Sequence, residues 1–332
     1  MSKTGTAEKT TAEETTAEHH TATAEVPGPG TASGPGRTSG FPTTRPTGPR
    51  RYIRAGLRRG VIELRHVLRN RKELSGHLLN IVIAVAVVMV FDKKVPGTPV
   101  PLGHLSIAGF AAFLLFSFGL MSVPQILVTE REEGALLRLR ATPGGIPAYL
   151  LAKALLIVGL AVGSLVLLLG VSALVADGPL PAGPAQWLTL IWVTGLGLLA
   201  VVPLGAAIGA VLPNPREAVA LVALPAMVLL GISGALFPAD KLPQFVQQIS
   251  AVFPLKWMAQ GVRASLLPDS MLAAEAAGSW QLPQVAMVLA AWAVFGFLLA
   301  VPLLRRTTRR ESGSRLAARQ QKAAAGGGAS VG

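Results

Sequence analysis

The stretch Tyr149-Leu150-Leu151-Ala152-Lys153-Ala154-Leu155-Leu156-Ile157-Val158-Gly159-Leu160-Ala161-Val162-Gly163-Ser164-Leu165-Val166-Leu167-Leu168-Leu169-Gly170-Val171-Ser172-Ala173-Leu174-Val175 decides the fold class. It exceeds the about 20 mostly apolar residues that a helix needs to cross a bilayer. Lys153 is its one charged residue. It sits one turn inside an end, where a lysine can snorkel to the interface. Comparable segments run near Ser75–Phe91, Leu105–Leu127, Trp187–Leu212, Val219–Phe237 and Val285–Leu304, the first being the shortest. The chain is therefore expected to be an all-α polytopic membrane protein with six transmembrane helices.

Composition agrees with this reading. Of 332 residues, 51% are hydrophobic and 14% charged, where a soluble domain carries about 25% charged. Gly and Ala are frequent within the segments, which suits close helix contact where no hydrophobic effect drives association. Pro124, Pro203, Pro225 and Pro302 lie in or near them, as membrane helices tolerate when neighbours satisfy the freed carbonyls. Cysteine is absent, which excludes disulfides, thiolate metal sites and cysteine nucleophiles. The N-terminus lacks a basic-then-apolar signal, so no cleaved secretory peptide is expected.

Lys and Arg in the flanks set the orientation. Nine lie in Arg50–Lys72, seven after Leu304, three between the second and third segments and one between the fourth and fifth. The opposite connections hold Lys93 and Lys94, then none, then Lys241, Lys256 and Arg263. Both termini are expected in the cytoplasm. The net charge of +13 follows the flanks of apolar segments, a pattern of juxtamembrane anchoring and not of nucleic-acid binding.

Outside the spans the chain divides clearly. Residues 1–49 repeat Thr-Ala-Glu from Thr6, Thr11, Thr16 and Thr23 and then turn to Pro and Gly; such a tail cannot bury enough apolar surface to order itself. Its His19–His20 pair carries no expected metal site. Residues 50–73 form an amphipathic helix with Ile53, Leu57, Val61, Leu64 and Leu68 on one face and Arg54, Arg58, Arg65 and Arg69 on the other. An interfacial helix on the cytoplasmic leaflet is expected there. Residues 305–332 form a basic tail.

Within 74–304, two connections stand out. In residues 129–141, Thr129 and Glu132 have capping-box spacing. Glu130, Glu132 and Glu133 start the segment, Arg138 and Arg140 end it, and Pro143-Gly144-Gly145 stops it. A short cytoplasmic helix is expected, with Leu136, Leu137 and Leu139 as its apolar edge. The outer connection 238–283 is long and apolar, interrupted by Pro243 and Pro254. Two short helices dipping into the outer leaflet, or a packed cap outside it, both fit.

The spans hold no Asp, Glu or His at membrane depth, which argues against an ion-coupled carrier or an intramembrane protease. A phosphate-binding Gly-x-x-x-x-Gly-Lys loop is absent. Any ATP hydrolysis must come from another chain.

The run Arg131-Glu132-Glu133-Gly134-Ala135-Leu136-Leu137-Arg138-Leu139-Arg140-Ala141-Thr142-Pro143 resembles the cytoplasmic signature of ABC-2 type transporter permeases. Gly231-Ile232-Ser233-Gly234-Ala235-Leu236-Phe237-Pro238, Lys241-Leu242-Pro243 and Phe253-Pro254-Leu255-Lys256-Trp257 resemble that family's end of span five and outer loop. Leu64-Arg65-His66-Val67-Leu68-Arg69-Asn70 is similar, though less specific. Ala135 and Leu137 depart from the usual Thr and acidic residue.

The resemblance implies the permease half of an ABC exporter, nearest the drug-resistance branch, in the cell membrane. It implies a separately encoded ATPase subunit that holds ATP and Mg, and a second permease copy or paralogue. Thr129, Glu130, Arg131, Glu132, Glu133, Gly134, Leu136, Leu137, Arg140 and Pro143 would then form the ATPase-coupling helix. Pro238, Pro243, Phe253, Pro254 and Trp257 would mark the outer loop. No cofactor is expected on this chain. A membrane scaffold or signalling anchor is the alternative, and a membrane-embedded transferase or protease is a third.

Overall fold

The computed structural model describes residues 49–90, 93–132, 145–212, 215–236, 242–275 and 277–327. Among them the regular structure is helical, apart from an isolated bridge between Lys94 and Pro101. The expected tail 1–49 lies outside the described residues except at its last position, Pro49, where the first helix starts.

Helix α1 spans Pro49–Arg69 and α2 spans Arg71–Val90. Next come α3 (Leu102–Ser117), a π-helical turn (Phe118–Ser122) and α4 (Val123–Glu132). Helix α5 is Gly145–Ala176, α6 is Pro184–Val211 and α7 is Pro215–Ile232. The outer connection forms α8 (Gln244–Val252), α9 (Pro254–Leu266) and a 3₁₀ turn at Asp269–Ala274. Helix α10 runs from Leu282 to Gly327.

Among the described residues, four helical segments are long and apolar enough to cross a membrane: Leu102–Glu130, Leu151–Ala176, Pro184–Val211 and Leu282–Leu304. The segments expected as the first and fifth spans are helical, within α2 and α7. In α7 the described residues include the apolar run Ala220–Ile232. That helix stops short of the expected Phe237, because Gly234 takes a left-handed φ of 70° and Ser233 bonds back to Leu230.

The π turn has a local cause. Pro124 follows it and has no N–H for the carbonyl four residues back. The distortion also lets α6 approach closely: a Cβ added to Gly205 would collide with the Gly119 carbonyl.

Helix α6 is the centre of one packing group, against α10, α9 and α4. Helix α5 is the centre of another, against α1, α2 and α3. Although consecutive in the chain, α5 and α6 barely touch; α3, the π turn and α4 join the two groups.

Helix α9 is buried within the bundle against α3, α6 and α10, with Leu255, Met258, Ala259 and Val262 wholly enclosed. Helix α8 stays outside and exposes Phe245, Ile249 and Val252. The outer connection thus combines an inserted helix with a surface one.

Candidate functional site: a charge cluster joining three helices

The site is built on a glycine seam. Gly56 and Gly60 let α1 lie directly on α5, beside Ala148 and Leu151 and then beside Ala152 and Leu155. Leu64 in turn packs over Gly159. The matched order shows α1 running alongside the first turns of α5 in the same direction. Such small-residue seams bring helix backbones together.

Three stripes follow around α1 from its 100° per residue. Gly56, Gly60, Arg59 and Glu63 face α5. Arg54, Arg58, Arg65 and Arg69 are exposed away from it, and Ile53, Leu57, Val61 and Leu68 are largely exposed between these stripes. The expected amphipathic helix is present, and its packing face is the glycine seam, not the apolar stripe.

Along this seam the charges assemble. Arg59 Nε donates to Glu63 Oε1 at 2.8 Å, one helical turn away. Lys153 Nζ on α5 donates to Glu63 Oε2 at 2.8 Å and also pairs with Glu130 at the end of α4. The Tyr149 hydroxyl donates to the same Glu130 carboxylate. Arg59 and Lys153 lie over the Tyr149 ring, 5.4 and 5.7 Å from its centre, the distance of a cation–π contact.

Lys153 therefore does not snorkel. Its side chain is 13% exposed and two carboxylates hold it. For Glu63, burial pushes the carboxyl up, but the hydrogen bonds and charges of Lys153 and Arg59 outweigh it and hold the group below its ordinary value. Four groups of alternating sign and one phenol thus fasten α1, α4 and α5 at one point. Helix α4 leads into residues 133–144 and α5 leads out of them, so the cluster straddles both ends of that connection.

The expected coupling residues divide accordingly. Glu130 is in the cluster, and Thr129 is exposed on α4. The capping box is not formed, because α4 continues through Thr129 to Glu132 and includes Arg131; the bonds that Glu130 makes fall on this extension. Glu133, Gly134, Leu136, Leu137, Arg140 and Pro143 lie outside the described residues, as do Ala135, Arg138 and Leu139. Sequence reasoning missed Arg59, Glu63 and Tyr149. The available signal was the spacing Gly56-x-x-Arg59-Gly60-x-x-Glu63, which puts an ion pair and two glycines on one helical face.

The outer connection has its own lock. Arg263 and Glu275, 3% and 7% exposed, form a two-pronged pair at 2.6 and 3.1 Å, and Arg263 Nη1 donates to the Gly234 carbonyl at 3.1 Å. Burial, and then Arg263, holds Lys256 below its ordinary value, with Glu275 opposing. Pro243 caps α8, Phe253 separates it from α9, and Pro254 opens α9. Trp257 donates to the Ala251 carbonyl and Trp292 to that of Val252, both at 2.7 Å. Pro238 lies outside the described residues. No cluster of His, Cys, Asp and Glu that could hold a metal occurs among the described residues.

A bundle of long apolar helices, fastened at one end by charges and closed at the other by an inserted helix, defines a multi-pass membrane protein. The family model of the ABC-2 family transporter proteins matches residues 101–301, more than half of the chain, and the chain belongs to that family. Its members are transmembrane transport subunits, not themselves catalytic, and membership implies an ABC ATPase partner. No curated protein matches the chain.

Proposed function

We propose that this chain is the membrane-spanning permease of an ATP-driven exporter, moving a hydrophobic or amphipathic compound, drug-like or lipid, out of the cytoplasm. A separately encoded ATPase holds ATP and Mg, and a second permease copy or a paralogue completes the pathway. The chain crosses the cell membrane six times with both termini inside, α2 and α7 supplying the first and fifth crossings. Their exposed Leu79, Val82, Leu221 and Leu224 suit contact with lipid or with the second permease.

The observation that carries this reading is the Glu63–Lys153–Glu130 cluster. It ties α1 to both helices that flank residues 133–144, the connection expected to dock on the ATPase. A push on that connection reaches α4, α5 and α1 together, and rigid elements that share a charged joint move as a unit. The apolar spans favour an uncharged or amphipathic cargo.

Co-expression with a candidate ABC ATPase subunit tests the proposal. The two chains should co-purify, and substrate should stimulate ATP hydrolysis. The double change Glu132→Ala and Glu133→Ala should uncouple hydrolysis from export. Absence of an associated ATPase together with unchanged export in the double variant would refute it.

A further inference from the structure

Arg54, Arg58, Arg65 and Arg69 on α1 are exposed and, among the described residues, form no ion pair. At 100° per residue they fall within a sector of about 60°. Ile53, Leu57, Val61 and Leu68 fill the adjoining sector of about 80°, and Ile53, Val61 and Leu68 are each more than half exposed. Glu63, the acidic residue of α1, faces the other way and is taken up by Arg59 and Lys153. One flank of α1 thus presents a row of guanidinium groups beside a strip of bare hydrocarbon.

The depth of this flank follows from the glycine seam. Gly60 lies beside Ala152 and Leu155, and Leu64 lies over Gly159. Those α5 residues belong to the apolar crossing segment Leu151–Ala176. Since α1 and α5 run in the same direction, each step along α1 past Glu63 leads further up the level of that segment. The cluster of Glu63, Lys153 and Glu130 marks the polar edge, because ionised groups are costly in hydrocarbon. Arg65 and Arg69 stand about 3 and 9 Å beyond Glu63 at 1.5 Å per residue, where headgroups meet acyl chains. A guanidinium there needs an anion, and side chains of this length reach back to the phosphate layer.

Two features select a leaflet over an acidic protein surface. A soluble partner could pair Arg54 and Arg58, but Arg65 and Arg69 are already level with a membrane-crossing helix. The strip beside the row also needs an apolar neighbour. A bilayer offers a phosphate layer and an acyl layer side by side, as α1 carries its arginines and its aliphatic strip.

We infer that this flank of α1 binds the headgroups of anionic phospholipids in the leaflet at the charged end of the bundle, with Arg65 and Arg69 on the phosphates and Val61 and Leu68 against the acyl chains. The inference rests on the bundle's crossing a membrane, not on transport, and stands whether or not an ATPase drives this chain.

The full chain, purified in mild detergent, is offered equal amounts of phosphatidylglycerol and phosphatidylcholine with matched acyl chains, and bound lipid is counted by native mass spectrometry. Wild type should favour phosphatidylglycerol. A basic residue at an anionic surface contributes a factor of about five, so Arg65→Gln with Arg69→Gln should lower that preference at least about fivefold. Lys93→Gln with Lys94→Gln removes the same charge from exposed residues beyond α2 and should leave the preference unchanged. Equal binding of both lipids by wild type, or an equal loss in the two double variants, overturns the inference. An unchanged preference in R65Q/R69Q accompanied by lost ATPase co-purification would assign the row to a protein partner and overturn it too.

A second measurement reads depth. The chain has no cysteine, so Leu68→Cys accepts a single nitroxide, and the labelled chain is reconstituted in vesicles of the same two lipids. Collisions with oxygen, which concentrates among acyl chains, should outweigh those with a water-soluble nickel chelate. Dominance of the chelate, or shielding from both, would place the strip in water or against protein and overturn the inference.

Discussion

Removing Lys153 should loosen the base of the bundle more than any other single change to its charges. At 2.8 Å from Glu63, one ammonium–carboxylate pair has a gross attraction of about 6 kcal/mol at an effective dielectric of about 20. Desolvation offsets much of that, yet breaking a fully buried pair from one side costs about 3–5 kcal/mol because the partner is left uncompensated. Here the side chains of Lys153, Glu63 and Glu130 are 13%, 23% and 16% exposed, so solvent reduces the cost to about 2–3 kcal/mol.

Lys153→Met keeps the apolar stem and removes the charge, leaving Glu63 and Glu130 to repel each other. Thermal unfolding in detergent, followed by tryptophan fluorescence, measures the loss. A double-mutant cycle with Glu63→Gln isolates the pair. A coupling energy of about 1–2 kcal/mol is expected, within the range for residues in one ion-pair network. A coupling below about 0.3 kcal/mol, the scatter of independent sites, would refute the argument that the cluster fastens α1 to α5.

The same pair gives a pH signature. Glu63 is held below its ordinary 4.5 in the folded chain, so its contribution is fully present above that value and is lost as pH falls through the lower folded value. Unfolding scans between about pH 6 and pH 3 should show a steeper loss for wild type than for Glu63→Gln. Gly60→Leu should detach α1 from α5, since even its Cβ would lie 2.9 Å from the Ala152 carbonyl; a loss of about 1–3 kcal/mol is expected from overpacking, and limited proteolysis near Arg65 should accelerate. Arg263→Ala should cost about 3–5 kcal/mol by leaving Glu275 buried and alone, whereas Arg263→Met with Glu275→Leu should cost clearly less; the two unfolding temperatures decide. Gly205→Ala should be poorly tolerated, because its Cβ would meet the Gly119 carbonyl at the π turn, and expression with a fluorescent fusion would report it.

Much of this molecule was legible as a string. Long runs such as Leu151–Ala176 announce themselves because a bilayer requires every backbone polar group to be satisfied within the segment, and only a long apolar helix does that cheaply. Pro243 and Pro254 marked the breaks in the outer connection. The run Arg131–Pro143 already pointed to the ABC-2 permeases, the family whose model matches residues 101–301.

Lys153 shows where reading along the chain stops. Its solitude in an apolar segment suggested snorkelling, because a string shows a charge but not its neighbours. Glu63 lies 90 positions earlier in sequence, and only the Gly56–Gly60 seam, by letting α1 lie on α5, brings the two together. Thr129 failed as a cap for a related reason: capping spacing is local, while the bonds from Tyr149 and Lys153 that hold Glu130 come from another helix. Sequence alone determined which segments are apolar, where charge collects and where the backbone breaks, since these follow from residue type and spacing. Tertiary structure alone decided that α9 is inserted into the bundle, that α5 and α6 separate, and that an apolar groove lies between them, since these depend on which surfaces meet.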